Sequence, residues 1–207
     1  MKSEAGGGSP ARRASLLPVI LVVLVDLIGF GIVLPLLPFY AKDLGATAFQ
    51  TGWLFSIYSI AQMVASPFWG KWSDRVGRRP VMLISTLGAC AAYTTFAFSH
   101  TYGMLFFSRL MAGLMGGNIA AAQAYVSDVT APAERAKGMG LIGAAFGIGF
   151  AVGPAIAAIL LQPFWSGWAA HVVPAVADTL RNDPYLFPGL FAALMSGAQM
   201  IDERMRI

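Results

Sequence analysis

Two ionisable residues stand where ionisable residues are costly. Asp26 interrupts the apolar run that begins near Leu16, and Arg109 interrupts another that begins near Tyr102. A charge inside a membrane span costs at least about 2.5 kcal/mol on insertion scales, so each calls for a partner or a wet cavity. Asp26 is the candidate partner for Arg109. It lies roughly ten residues from the inner boundary of its run, near mid-membrane at about 1.5 Å per residue, and a similar depth is expected for Arg109. Burial and a neighbouring cation act in opposite directions on a carboxylate's hold on its proton. An acid so placed could load and release a proton as its cavity changes sides. A purely structural pair is the alternative. At about 100° per residue, Gly113, Gly116, Gly117, Ala120 and Gln123 fall on one side of a helix with Arg109, a small-residue face suited to helix packing. Asn118 falls about 180° away. Gln123 is therefore the better placed of the two for a substrate contact, and hydrogen bonds between helices remain an equal reading of both.

The elements that carry these residues are read from composition. Hydrophobic residues make up 57% of the 207 and charged residues 12%, against about 25% charge in an ordinary soluble domain. Apolar runs long enough for a helix to cross a bilayer fall near 16–40, 50–70, 80–99, 102–126, 139–161 and 184–201, each near the roughly 20 residues a crossing takes. The expectation is an all-α membrane protein, a six-transmembrane-helix bundle over 15–201. A flexible cytoplasmic tail over 1–14 and a short one over 202–207 flank it. Asp26 and the lack of a prompt small-x-small cleavage site favour a retained first helix over a signal peptide.

Charge sets the orientation. With the amino terminus inside, the inner segments hold 11 of the 14 Lys and Arg, the outer segments hold Lys42 and Arg181, and Arg109 stays within a span. Both termini are then cytoplasmic by the positive-inside rule. That distribution also accounts for the net charge of +4 without nucleic acid as a partner. In the long outer segment 162–183, Trp165 and Trp168 suit a headgroup-level anchor, and Pro174 to Leu180 could start a short surface helix. The single cysteine, Cys90, has no second cysteine to pair with, and His100 and His171 read as interfacial polar residues. No metal site, nucleophile–base set or phosphate loop is expected, so the reading is of a protein that is not an enzyme and holds no cofactor.

The sharpest motif is Gly70-Lys71-Trp72-Ser73-Asp74-Arg75-Val76-Gly77-Arg78-Arg79, read as the short inner link between the second and third spans. Gly70 is expected to let helices approach closely, Gly77 to allow a tight turn, and the charges to latch helix ends together. The segment resembles the signature loop of the major facilitator superfamily, G-x-x-x-D-R-x-G-R-R. Six specified residues at these spacings should coincide about once in 10⁷ to 10⁸ positions. The resemblance implies that the loop, with Asp74, Arg75, Arg78 and Arg79, gates the inner side. It gives Arg78 a partner in Asp128, and it turns Asp74 towards a helix of a carboxy-terminal half that this sequence does not contain.

Arg109-Leu110-Met111-Ala112-Gly113-Leu114-Met115-Gly116-Gly117 resembles the family's fourth-helix motif built on an embedded arginine. Gly149-Phe150-Ala151-Val152-Gly153-Pro154-Ala155-Ile156-Ala157-Ala158 resembles its fifth-helix antiporter motif, with alanines in place of the last two glycines. There Gly149 and Gly153 form a small-xxx-small surface and Pro154 can bend the helix. Asp26 to Tyr40 and Ala122 to Gly138 look like the tetracycline-resistance and multidrug branch of the drug:proton antiporters. The likeness runs through residues 16–161 and covers one six-helix half of the fold.

That resemblance implies proton-coupled efflux of small amphipathic molecules across the lipid bilayer, driven by the proton gradient. Asp26 would couple and Arg109 would organise the cavity. One half cannot enclose such a path, so a self-dimer or a separate second half is the expected partner. The competing reading is a non-transporting membrane protein that keeps the family's helices.

Overall fold

A computed structural model describes residues 16–162 and 183–206. Among the described residues there are seven helices: α1 Leu17–Asp43, α2 Ala48–Val76, α3 Arg78–Ala97, α4 Tyr102–Leu114, α5 Gly117–Val129, α6 Arg135–Leu160 and α7 Leu186–Arg206. α4 and α5 are two pieces of one apolar stretch of 28 residues, Tyr102–Val129. The elements therefore form a six-span bundle, all of it helical.

Among the described residues, four elements are long and apolar enough to cross a membrane: α1, α3, the α4–α5 pair and α6. α2 has the length, 29 residues, but Ser59, Gln62 and Ser66 dilute it because they line a cleft. The apolar part of α7, Leu186–Gln199, is shorter than the roughly 20 residues of a straight crossing. It packs along α3 and α1.

Local chemistry sets several helix ends. Thr47 and Gln50 form a capping box at the start of α2, Thr47 Oγ1 accepting from Gln50 N at 3.2 Å and Gln50 Oε1 accepting from Thr47 N at 2.8 Å. Thr101 caps α4 by accepting from Met104 N. α2 continues to Val76, so most of the Gly70–Arg79 segment is helix and not link. Gly77 alone joins α2 to α3, at φ +94°, a region where a side chain is strained. Likewise α7 runs through Asp202 to Arg206, in contrast to the polar tail expected there. The expectations for residues 1–14, for Trp165, Trp168, His171 and Arg181, and for a helix from Pro174 to Leu180 lie outside the described residues.

Packing follows the small residues. α1 lies against α6 so closely that a Cβ built on Gly153 would stand 2.5 Å from Gly31 Cα, and one on Gly149 would stand 2.7 Å from Leu27 Cβ. α2 meets α4 and α5 the same way: a Cβ on Gly113 would collide with Tyr58 O, and one on Gly117 would lie 2.6 Å from the Trp69 ring. Gly70 differs from expectation, with nothing within 4 Å of where its Cβ would be. It sits on a side of α2 that no neighbouring described helix covers. Among the described residues, buried apolar side chains form two large clusters, one around Val19 to Leu27 of α1 with Val81 and Val126, the other around Ile32 to Ala41 with Phe96 and Leu105, and a small third where Leu186 of α7 meets Ala97 of α3. Large apolar residues on α2 and α6, among them Phe49, Phe68 and Ile159, are exposed, as suits a surface that meets lipid or another helical unit.

Candidate functional site

The interruption between α4 and α5 is the first feature of the site. Glycines at 113, 116 and 117 lower the local helix propensity, and the chain leaves the helical path at Met115 and Gly116. Backbone groups freed inside a membrane must find partners within the protein, and here side chains supply them. Trp69 Nε1 donates to Leu114 O at 2.6 Å. The Ser85 hydroxyl donates to Met115 O and accepts from Asn118 N, the latter at 3.0 Å, so one buried serine of α3 spans the break.

The break changes where Asn118 points. Counted along an unbroken helix it lies opposite Arg109, but the interruption resets the count. Asn118 is buried and shares one small enclosed space with Asp26. Its Oδ1 accepts from Ile119 N at 2.8 Å, which leaves the amide nitrogen as the group of Asn118 able to donate towards Asp26. Asp26, Tyr58, Gln62, Tyr93 and Asn118 surround a space of about 20 Å³, the size one water needs.

Arg109 does not pair with Asp26. No ion pair joins them among the described residues. Asp26 faces Ala112 and Met115 of the fourth span, whereas Arg109 faces Phe30, Leu34 and Leu37 of α1. The two groups are thus offset along the bundle by roughly one to two helical turns and not level. Arg109 is 2% exposed, its guanidinium lies 5.1 Å from the Phe96 ring centroid, and its Nε and Nη2 meet no acceptor among the described residues. Tyr58 borders both groups, lining the pocket at Arg109 and the space at Asp26, and Tyr93 lines the latter.

Beside this polar layer opens a cleft of about 540 Å³, walled by residues of α1, α2, α5 and α6, including Phe30, Tyr58, Gln62, Gln123 and Phe150. Gln123 lies on this wall. None of the described residues of α3 or α7 lines it. Tyr58 lines the cleft, the space at Asp26 and the pocket at Arg109 alike.

At the end of the bundle where α2 passes into α3, Arg78 gathers two acids. Its Nε and Nη2 approach Asp128 Oδ2 at 3.1 and 2.9 Å, and its Nη1 approaches Asp74 Oδ1 at 2.6 Å and Ser73 Oγ at 3.1 Å. Asp74 therefore has a partner within this unit. Arg75 is exposed here, and Arg79 is exposed but engaged. The latch ties α3 to the far end of α5, the helix that begins beside Asn118.

A family model described as Major Facilitator Superfamily matches residues 19–198. The chain belongs to the major facilitator superfamily. It is thus an integral, multi-pass membrane protein of a family of transporters and not of enzymes. The class B tetracycline resistance protein of Escherichia coli is 38% identical over 140 residues, 66% of this chain and 35% of that protein. The crystal structure of the human organic anion transporter MFSD10 (TETRAN) superposes with a TM-score of 0.70 at 27% identity, over 95% of this chain and 47% of that one. A bacterial homolog of the human lysosomal transporter Spinster, in an inward-facing, unoccupied conformation, gives a TM-score of 0.72 at 14% identity over 93% of this chain and 44% of that one, a likeness of fold. The chain thus spans between a third and a half of the length of these major facilitator relatives.

Within this major facilitator half, the fifth-span motif around Gly149, Gly153 and Pro154 is a packing seam to α1 that carries α6 to the edge of the cleft. Ser85, Tyr58, Gln62 and Tyr93 are site residues that the sequence reading does not single out. Their signal is present, since each is a polar side chain inside an apolar run, but nothing in the spacing says which of many such residues converge.

Proposed function

We propose that the chain forms one wall of a path that exports amphipathic, drug-like small molecules in exchange for protons, in company with a second six-helix unit. In this reading Asp26 is the proton site and the cleft beside it holds the substrate, with both chain termini and the Arg78 latch on the cytoplasmic side. The observation that carries the reading is the position of Tyr58, a single side chain shared by the Asp26 space, the Arg109 pocket and the cleft. A molecule in the cleft touches the same phenol that borders the carboxylate, so occupancy and protonation can bias each other. α5 offers a route onward. Protonating Asp26 changes what its carboxylate can accept from Asn118, and Asp128 lies ten residues further along the same rigid helix, about 15 Å away.

The test is proton movement driven by drug. In vesicles that hold a proton gradient, adding an amphipathic drug to the assembled transporter should dissipate the gradient, and Asp26→Asn should abolish the response while membrane insertion and yield stay normal. Unchanged coupling in Asp26→Asn removes that residue from the mechanism. A chain that inserts, stays monomeric and moves nothing favours a non-transporting membrane protein.

A further inference from the structure

The Arg109 guanidinium is buried with no acceptor on Nε or Nη2 among the described residues, and a desolvated cation in that condition calls for an anion. Phe96 lies near the guanidinium and holds its orientation without neutralising it. The described acids nearest in the bundle are otherwise occupied or distant: Asp26 is offset towards Asn118, and Asp74 and Asp128 are held by Arg78 at the far end.

A separate pocket of about 130 Å³ abuts Arg109, and its other walls include Phe30, Phe55, Leu37, Tyr58 and Ser59. Among the described residues, Arg109 is the one charged group on that wall. The pocket therefore offers aromatic and aliphatic surface, two hydroxyls and a single positive charge, in a volume that suits a flat ring bearing one small polar group. Phe30 and Tyr58 also wall the large cleft, so a ligand body lying in the cleft could place one end here.

We propose that Arg109 and this pocket form an anion subsite, so that the molecules this protein takes are flat apolar bodies carrying a carboxylate or a similarly delocalised acid, with the acidic group on the Arg109 guanidinium. Guanidinium and carboxylate match as planar partners through paired N–H donors; Nε and Nη2 of Arg109 lack acceptors and are sealed from solvent, so they become those donors once the side chains over them shift. The inference rests on the transport-path reading only for what binding is for. Binding itself is measured without transport.

The probe pair is 2-naphthoate and 2-naphthamide, which share size and ring and differ in charge. Equilibrium dialysis against the full chain in lipid nanodiscs, with empty nanodiscs subtracted, should give the acid about tenfold or more tighter binding than the amide, the range of a charge-assisted hydrogen-bond pair. Arg109→Gln should remove the preference while leaving amide binding in place, and Arg109→Lys should retain part of it. Equal affinity of acid and amide for the unaltered chain overturns the subsite, whatever the variants do. So does a preference that survives in an Arg109→Gln chain with unchanged amide binding. Loss of drug-driven proton movement with acid preference intact would instead defeat the proposed function and leave the subsite standing.

Discussion

Two glycines of α6, six residues apart, make a matched experiment. Gly147 is exposed, with nothing within 4 Å of the place a methyl group would take, whereas Gly153 is buried with Gly31 Cα and C both 2.5 Å from its would-be Cβ. Replacing glycine by alanine inside a helix normally stabilises it by roughly 0.5–1 kcal/mol, because the backbone loses less freedom on folding. Gly147→Ala should show that gain. At Gly153 the obstructing atoms are backbone, so they cannot rotate away, and α1 and α6 must separate by about 1 Å to reach ordinary contact. Overpacking of that kind costs roughly 1–3 kcal/mol, and part of the Leu27–Gly31 seam would loosen with it. The two substitutions should therefore move stability in opposite directions, by about 1.5–4 kcal/mol in total when the two ranges are combined. Thermal or denaturant unfolding of the purified chain in mild detergent, followed by helical signal, reads the difference. If Gly153→Ala proves as stable as Gly147→Ala, the close α1–α6 seam is wrong.

Two further outcomes follow from the same geometry. Ser85→Ala removes both hydrogen bonds that span the α4–α5 break; each buried group left unpaired costs roughly 1–3 kcal/mol, so hydrogen exchange at Asn118 and Ile119 should accelerate while α1 and α6 exchange as before. Exchange that accelerates everywhere would mean the serine supports the whole bundle and not the break. Asp128→Asn should lower stability by no more than about 1 kcal/mol, since its side chain is 56% exposed, yet should change the balance between inward-open and inward-closed forms, read by accessibility of a single cysteine placed in the cleft. An accessibility pattern identical to the parent would remove the Arg78–Asp128 contact from gating.

Much of the architecture was legible because the membrane simplifies the code. Backbone groups in lipid must be satisfied within their own segment, so long apolar runs can only be helices, and their count and rough bounds can be read directly. Gly77 was readable for a related reason, since a one-residue joint at φ +94° leaves few alternatives to glycine. The Arg78–Asp128 contact was legible through resemblance to the family. The seam on Gly149 and Gly153 followed from small-residue spacing, although its partner, Gly31 of α1, did not.

Convergence was decided elsewhere. Helical-wheel reasoning put Asn118 opposite Arg109, but it assumes one continuous helix, and the interruption at Met115 and Gly116 turns Asn118 onto Asp26. Depth counted from span boundaries made Asp26 and Arg109 level partners; helix offset separates them and leaves the guanidinium without an acceptor among the described residues. The sequence by itself determined that two ionisable groups lie in membrane-spanning helices and that a charged segment joins the second span to the third, because composition and backbone satisfaction are local properties. Only the tertiary structure decided which groups meet, because the rotation and axial shift of one helix against another are set by side-chain packing across the whole bundle.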